Sequence, residues 1–338
     1  MLLFPPPPPK LVQDGVPAFG SYAGRMDRFD WGALEGSHAR SWWWRRMHHK
    51  RWQYVGIGLP ELFIGVAVMD LGWISGAFVY VFDRQRREMV VDWQQQGLPL
   101  LQGAVSDEPV QGARAWFRSA FAEVSLRHGD PDQPIDSDVL QVRADVRGIR
   151  LQAELSLAGS APFLLGVGPV SGGVAHATQK SPALPVTGSV TIKGRRFELD
   201  HAVASLDSSN GLLARHTDWR WACAHSPSLG FNLQQGYFGQ RENALWLDGR
   251  LIPLGGARFE YDHQEPMKPW HISTEDGLVD LWFTPEGGRQ HQRNVGVAAT
   301  RYVQPVGTFS GTVRASAGDA PRLVRDLLGV TEDHRSKW

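Results

Sequence analysis

The chain has 338 residues, with 35 Lys plus Arg against 35 Asp plus Glu, so its formal charge is zero. Nucleic-acid binders carry a basic excess as a rule, and the balance argues against that class. A lone Cys223 excludes an intrachain disulfide and points to a reducing, cytoplasmic setting, while 37 Gly, 22 Pro and 14 Trp suit many short strands better than a helix bundle.

The length favours two domains. The opening MLLFPPPPPKL lacks the basic and apolar regions of a secretory signal and reads as an extended polyproline segment. Residues 1–50 are expected to form an N-terminal arm. Within it, Trp42-Trp43-Trp44-Arg45-Arg46 has two readings. One is a contact with a membrane surface or nucleic acid. The other is indoles packed on a barrel while the arginines stay in water. The longest apolar stretch, Tyr54 to Met69, is interrupted by Pro60 and Glu61, so no stable membrane insertion is expected.

From Arg51 the pattern becomes β. WQYVGIG, ELFIGVAVMD, WISGAFVYVFD and EMVVDWQ follow one another with short breaks, which implies antiparallel hairpins. In Trp73–Asp83 neither alternating face is polar, as expected for a barrel covered outside or hollow inside. Further strands are predicted at Ala113–Arg127, Val139–Arg147 and Ile149–Ala158. Gly159 to Pro185 reads as a long loop containing Lys180, and the hairpin turning at Lys193-Gly194 ends the first barrel, residues 51–206.

Asp207-Ser208-Ser209-Asn210-Gly211 reads as a turn that opens the second barrel, residues 207–338. About seven strands follow, with a hairpin turn at Asp248-Gly249, where both positions need positive φ. PRLVRDLLGV reads as a C-terminal helix with Leu323, Val324, Leu327 and Leu328 on one stripe.

Standard catalytic motifs are absent: there is no Walker A, GxSxG, HExxH or GxGxxG before a helix. No cofactor and no metal site is predicted. Cys223 is in phase with Trp219 and Trp221 and reads as a small core residue. His216 and Asp218, at i and i+2, share a strand face and make either an acid–base pair or a surface hydrogen bond. The Asp207–Trp221 stretch is the expected wall of any site. It supplies the ring faces of Trp219 and Trp221 and the protonatable groups of Asp207, His216 and Asp218. The alternative for each is a core, turn or surface role. Lys180 is a further candidate, for binding an acidic head group.

GSVTIKGRRFELD, the Asp207–Gly211 segment, TDWRWACA, FNLQQGYF, ENALWLDGRLIPLG, PWHISTEDGLVDLWFTP, GTFSGTV and LLGVTEDHRSKW, in this order, resemble the bacterial family called domain of unknown function 2804. The resemblance runs from about Trp52 to the C-terminus. More distantly the layout resembles tandem lipocalin-like proteins: AttH-like proteins, carotenoid 1,2-hydratases, tocopherol cyclases and certain fungal Diels–Alderases. That resemblance implies an all-β fold of two antiparallel calycin-like barrels with an apolar pocket near their junction. Where those relatives show a Trp-x-Asp-His type turn, this chain has Ser205-Leu206-Asp207-Ser208-Ser209. Three functions remain open: a binder of a hydrophobic, lipid- or isoprenoid-like molecule; an enzyme acting on an apolar polyene by acid catalysis; and a structural protein with filled barrels.

Overall fold

The computed structural model describes residues 4–129, 138–294, 296 and 299–338. Its described residues form 26 strands, one helix of seven residues and one three-residue 3-10 turn. Two large antiparallel sheets hold all but two of the described strands. The first runs from the edge strand Glu88–Gly97 through Val203–Leu212 to Gly103–Val105 and curls into a nearly closed barrel. The second has nine strands and forms a half-barrel, with Arg322–Lys337 near its middle.

Alternation explains how both barrels are filled. Along Leu62–Asp70 and Ser75–Asp83, Ile64, Val66, Val68, Ala77, Val79 and Val81 point into the first barrel and are fully buried there. The opposite residues, Phe63, Ala67, Phe78, Tyr80 and Phe82, face the second sheet instead. This is why neither face of these strands reads as polar. The barrel interior is packed with side chains, and its outer wall is covered by the other barrel. The second sheet repeats the pattern: Ala222 and Ala224 point into its own core, Trp221 and Cys223 into the junction. Gly65 leaves room for the ring of Tyr80, its cross-strand partner, which a Cβ there would overlap.

Both predicted hairpin turns have the required backbone. Lys193 and Gly194 have φ of 48° and 87°, and Asp248 and Gly249 have 50° and 78°.

Four expectations change. First, residues 4–50 are not a separate arm. Gly20–Ala23 pairs with the strand Leu164–Pro169, and Leu11, Met26, Phe29, Trp31 and Leu34 build their own cluster on it. Second, the stretch read as a loop contains the hairpin Leu164–Pro169/Ala175–Lys180. All six residues of its second strand are buried, so it lacks the alternation that marks a half-exposed strand. Third, Asp207–Gly211 is not a turn but the middle of Val203–Leu212, paired on both sides. Its turn-forming residues are tolerated because their side chains find partners inside: Ser208 Oγ donates to the Pro109 carbonyl, and Asn210 Oδ1 accepts from Trp31 Nε1. The crossing to the second sheet comes later, between Leu212 and His216.

Fourth, the C-terminal segment is a strand, not a helix. A bulge opposite Phe309 and Gly311, with Asp326 at φ 48°, inserts an extra residue. Val324 and Leu327 therefore face the same core despite their i, i+3 spacing, which imitates a helical stripe. Leu328 faces the junction and Leu323 is 63% exposed.

Candidate functional site at the barrel junction

The two sheets pack face to face but do not close completely. Between them lies an inner chamber of about 110 Å³, walled by Trp52, Tyr54, Phe78, Trp219, Trp221 and Tyr237 among others. Met69, Leu71, Tyr302 and Trp338 also line an adjoining outer chamber of about 410 Å³ that is partly open to solvent. Behind Tyr54 and Trp221, whose rings meet edge to face, a third cavity of about 530 Å³ opens on the opposite side.

The inner chamber holds a charged cluster contributed by both barrels. Lys180, last in its strand, is only 6% exposed. Its Nζ lies 2.7 Å from Asp207 Oδ2 and 2.9 Å from Glu242 Oε2, and sits over the Trp221 ring. Burial pulls the Lys180 pKa down, but the two carboxylates more than reverse this and hold it well above the usual lysine range. Burial, reinforced by the Asp207 charge, pushes the Glu242 carboxyl up against the opposing pull of Lys180. Asp207 Oδ1 accepts from Thr178 Oγ1 and Ser209 Oγ. Asn232 Oδ1 accepts from Trp221 Nε1, and its amide nitrogen donates to the Glu242 carbonyl.

A second polar chain lines the side nearer the mouth. Glu332 Oε1 accepts from Trp219 Nε1 at 2.9 Å, and Glu332 Oε2 accepts from Gln304 Nε2 at 3.0 Å. Gln304 Oε1 in turn accepts from Tyr80 Oη, which is 3.3 Å from Tyr54 Oη. The Trp219 ring packs on His334, with centroids 4.1 Å apart, and lies parallel to Trp52.

Three polar atoms on this chamber wall are buried without a hydrogen-bond partner: His176 Nε2, Gln234 Oε1 and Gln234 Nε2. An unpaired buried group costs about 1–3 kcal/mol. Burial, with the nearby Lys180 charge, lowers the His176 pKa to about 3, so its ring is neutral. Its Nδ1 is 2.6 Å from Tyr237 Oη, and its Nε2 is left without a hydrogen-bond partner. Among the described residues no group of three or more His, Cys, Asp or Glu is placed to hold a metal ion.

The structure brings Lys180, Asp207, Trp219 and Trp221 into this one chamber. It does not bring in His216 and Asp218. They lie on the opposite face of the strand, exposed near Arg335, and Asp218 pairs with Arg220. The same i, i+2 spacing that puts both on one face puts Trp219 and Trp221 on the other. Trp221 is buried and Trp219 partly so. Cys223 is buried beside the third cavity, and burial pushes its thiol up to about 12, as for an inert core residue. Sequence reasoning missed Glu242, Glu332, His176 and Gln234. Glu332 was hidden by the helical reading of the tail. Glu242 lies between two strand-like runs, with no periodicity to mark it.

The chain belongs to the family described as domain of unknown function (DUF2804), whose model matches residues 8–338. No curated protein matches it in sequence. Its fold is similar to that of an AttH-like protein from Nitrosomonas europaea, at 13% identity and a TM-score of 0.57, covering 86% of this chain and 92% of that one. It is also similar to kievitone hydratase from Nectria haematococca, at 8% identity, TM-score 0.54, and coverage of 86% and 88%. CghA aligns over 97% of both chains, at 11% identity and a TM-score of 0.60. These likenesses establish a shared two-barrel fold. No helix among the described residues is long and apolar enough to cross a membrane.

Proposed function

We propose that this protein binds an apolar small molecule, lipid- or isoprenoid-like, in the chambers between its barrels. The observation that carries this reading is the pairing of ring-lined walls with the unpartnered atoms of His176 and Gln234. A ligand with one hydroxyl or carbonyl group would place it there, where each hydrogen bond removes a desolvation cost. Its apolar remainder would extend past Phe78 and Met69 into the outer chamber, whose 410 Å³ lies in the range of small-molecule sites.

One observation favours a second reading, acid catalysis. Two carboxyl groups share the single Lys180 cation, and burial already disfavours the charged form of Glu242. A protonated Glu242 would give its proton to an alkene carbon, and the ring faces of Trp221 and Trp219 would stabilise the cation. Water would add to that cation, and its released proton would return to the carboxylate. One neighbour in fold is named a hydratase.

The test is uptake of a fluorescent polyene fatty acid or alcohol, read by energy transfer from tryptophan. Wild type is expected to bind. Ala67→Phe, which fills the inner chamber, should weaken binding at least about tenfold, or 1.4 kcal/mol, while the exposed His216→Ala should not. No uptake by wild type, or equal uptake by a folded Ala67→Phe variant, would refute the reading.

A further inference from the structure

The helix Trp42–His48 carries the chain's most unusual surface. Trp42 and Trp43 are 67% and 71% exposed, and Met47 follows at 46%. Arg45 and Arg46 are partly exposed and, among the described residues, have no acidic partner. No Asp or Glu occurs anywhere from Gly36 to Pro60, in a chain whose charges balance overall. Trp44 does not share the exposure: it stacks on His48, with centroids 3.9 Å apart. Of the two readings of this segment, packed indoles therefore hold for one tryptophan and fail for two.

The helix has a fixed position relative to the cavity. Its last turn rests on the turn after Asp70, where a Cβ on Gly72 would overlap the Arg46 carbonyl. The buried Lys50 ties them together, donating to the carbonyls of Met47 and Leu71. Leu71, Trp73 and Ile74 form one lip of the outer chamber, and Trp73 is itself 38% exposed. Among the described residues, the lining of that chamber includes Arg289, Arg293 and Lys337, and no Asp or Glu.

We infer that Trp42 and Trp43 insert among the head groups of an anionic phospholipid surface, seating the mouth of the outer chamber on the membrane. Indoles favour that interface because the ring is apolar and the N–H can stay hydrated. Arg45 and Arg46 supply attraction to anionic lipid, and the acid-free rim adds no repulsion. The contact is peripheral, since the helix is too short to span. Docking stands on this surface alone. Transfer of an apolar ligand from membrane to chamber would rest in addition on the binding function proposed above.

The experiment is flotation of the full chain, without ligand, on vesicles of equal parts phosphatidylcholine and phosphatidylglycerol, against pure phosphatidylcholine. Wild type should float with the anionic vesicles, weakly or not at all with the neutral ones, and less at high salt. Trp42→Ala/Trp43→Ala and Arg45→Glu/Arg46→Glu should each reduce bound protein at least about tenfold. Their thermal unfolding should be unchanged, because these side chains pack on little. Failure to float, equal flotation on neutral vesicles, or unchanged flotation of both variants would overturn the inference. So would tighter binding of a single-stranded RNA oligomer that depends on Arg45 and Arg46. Because no ligand is present, a failed uptake assay leaves this result standing, and the reverse also holds.

Discussion

Lys180 and Glu242 meet across the barrel junction, with Nζ 2.9 Å from Oε2. Lys180 ends a strand of the first sheet, Glu242 lies in the turn between two strands of the second, and each is almost completely buried. Asp207 closes the cluster from the first sheet. The two barrels are therefore joined by a desolvated ionic contact as well as by apolar packing. The exposed pairs elsewhere, such as Arg196 with Glu198, contribute little by comparison.

Replacing Lys180 by Met should destabilise the protein by about 3–5 kcal/mol at neutral pH, because two buried carboxyl groups lose their common cation. Adding Asp207→Asn and Glu242→Gln to that background should restore most of the loss, since buried uncharged groups need only hydrogen bonds. The penalty of the single variant should grow as pH rises, because carboxyls without their cation fold best protonated. Denaturant unfolding of the single and triple variants at several pH values measures both effects. A loss below about 1 kcal/mol for Lys180→Met would mean that the cluster behaves as a solvated surface pair.

The buried histidines make a separate pH prediction. Burial, then the Lys180 charge, lowers His176 to about 3, and burial alone does the same to His225. The ordinary histidine value is 6.5. Below that pH the unfolded chain binds protons that the folded chain refuses, so stability falls as pH drops from 6.5 towards the folded values. Each proton contributes a slope of about 1.4 kcal/mol per pH unit. His176→Gln should reduce the slope between about pH 6 and about pH 4 by that amount, whatever it does to absolute stability. An unchanged slope would show that His176 is protonated in the fold.

The all-β class and the hairpin turns were legible because they rest on local chemistry: β-branched and aromatic runs, and positive-φ positions at Lys193-Gly194 and Asp248-Gly249. Half of the site was legible too, since strand alternation puts Trp219 and Trp221 on one face. The other half depends on register between distant strands. Lys180 and Asp207 are direct register partners, yet nothing in either segment announces it. Asp207-Ser208-Ser209-Asn210-Gly211 misleads because buried hydrogen-bond partners override its turn propensity. The tail misleads for a geometric reason, because one bulge converts a strand's spacing of two into three.

That tail supplies the last prediction. Arg322–Lys337 pairs with His216–His225 on one side and with Ala299–Val313 on the other. It is an interior strand of the second sheet, and its residues Leu328, Glu332, His334 and Trp338 also wall the junction cavities. Ending the chain after Gly318 would leave two unpaired inner edges, which are templates for aggregation. It would also remove Val324 and Leu327 from the core of the second barrel. Burial of each such side chain is worth about 1.5–3 kcal/mol, and the lost ladder hydrogen bonds add to this. A docked terminal helix would cost a few degrees of thermal stability when removed. An interior strand should cost the second half its fold. The truncated chain is therefore expected to bind a hydrophobic dye, to lose cooperative unfolding, and to be cut by trypsin within the strands His216–His225 and Ala299–Val313 faster than the intact protein. Cooperative melting close to that of the intact protein would mean that the nine-strand sheet does not depend on this strand.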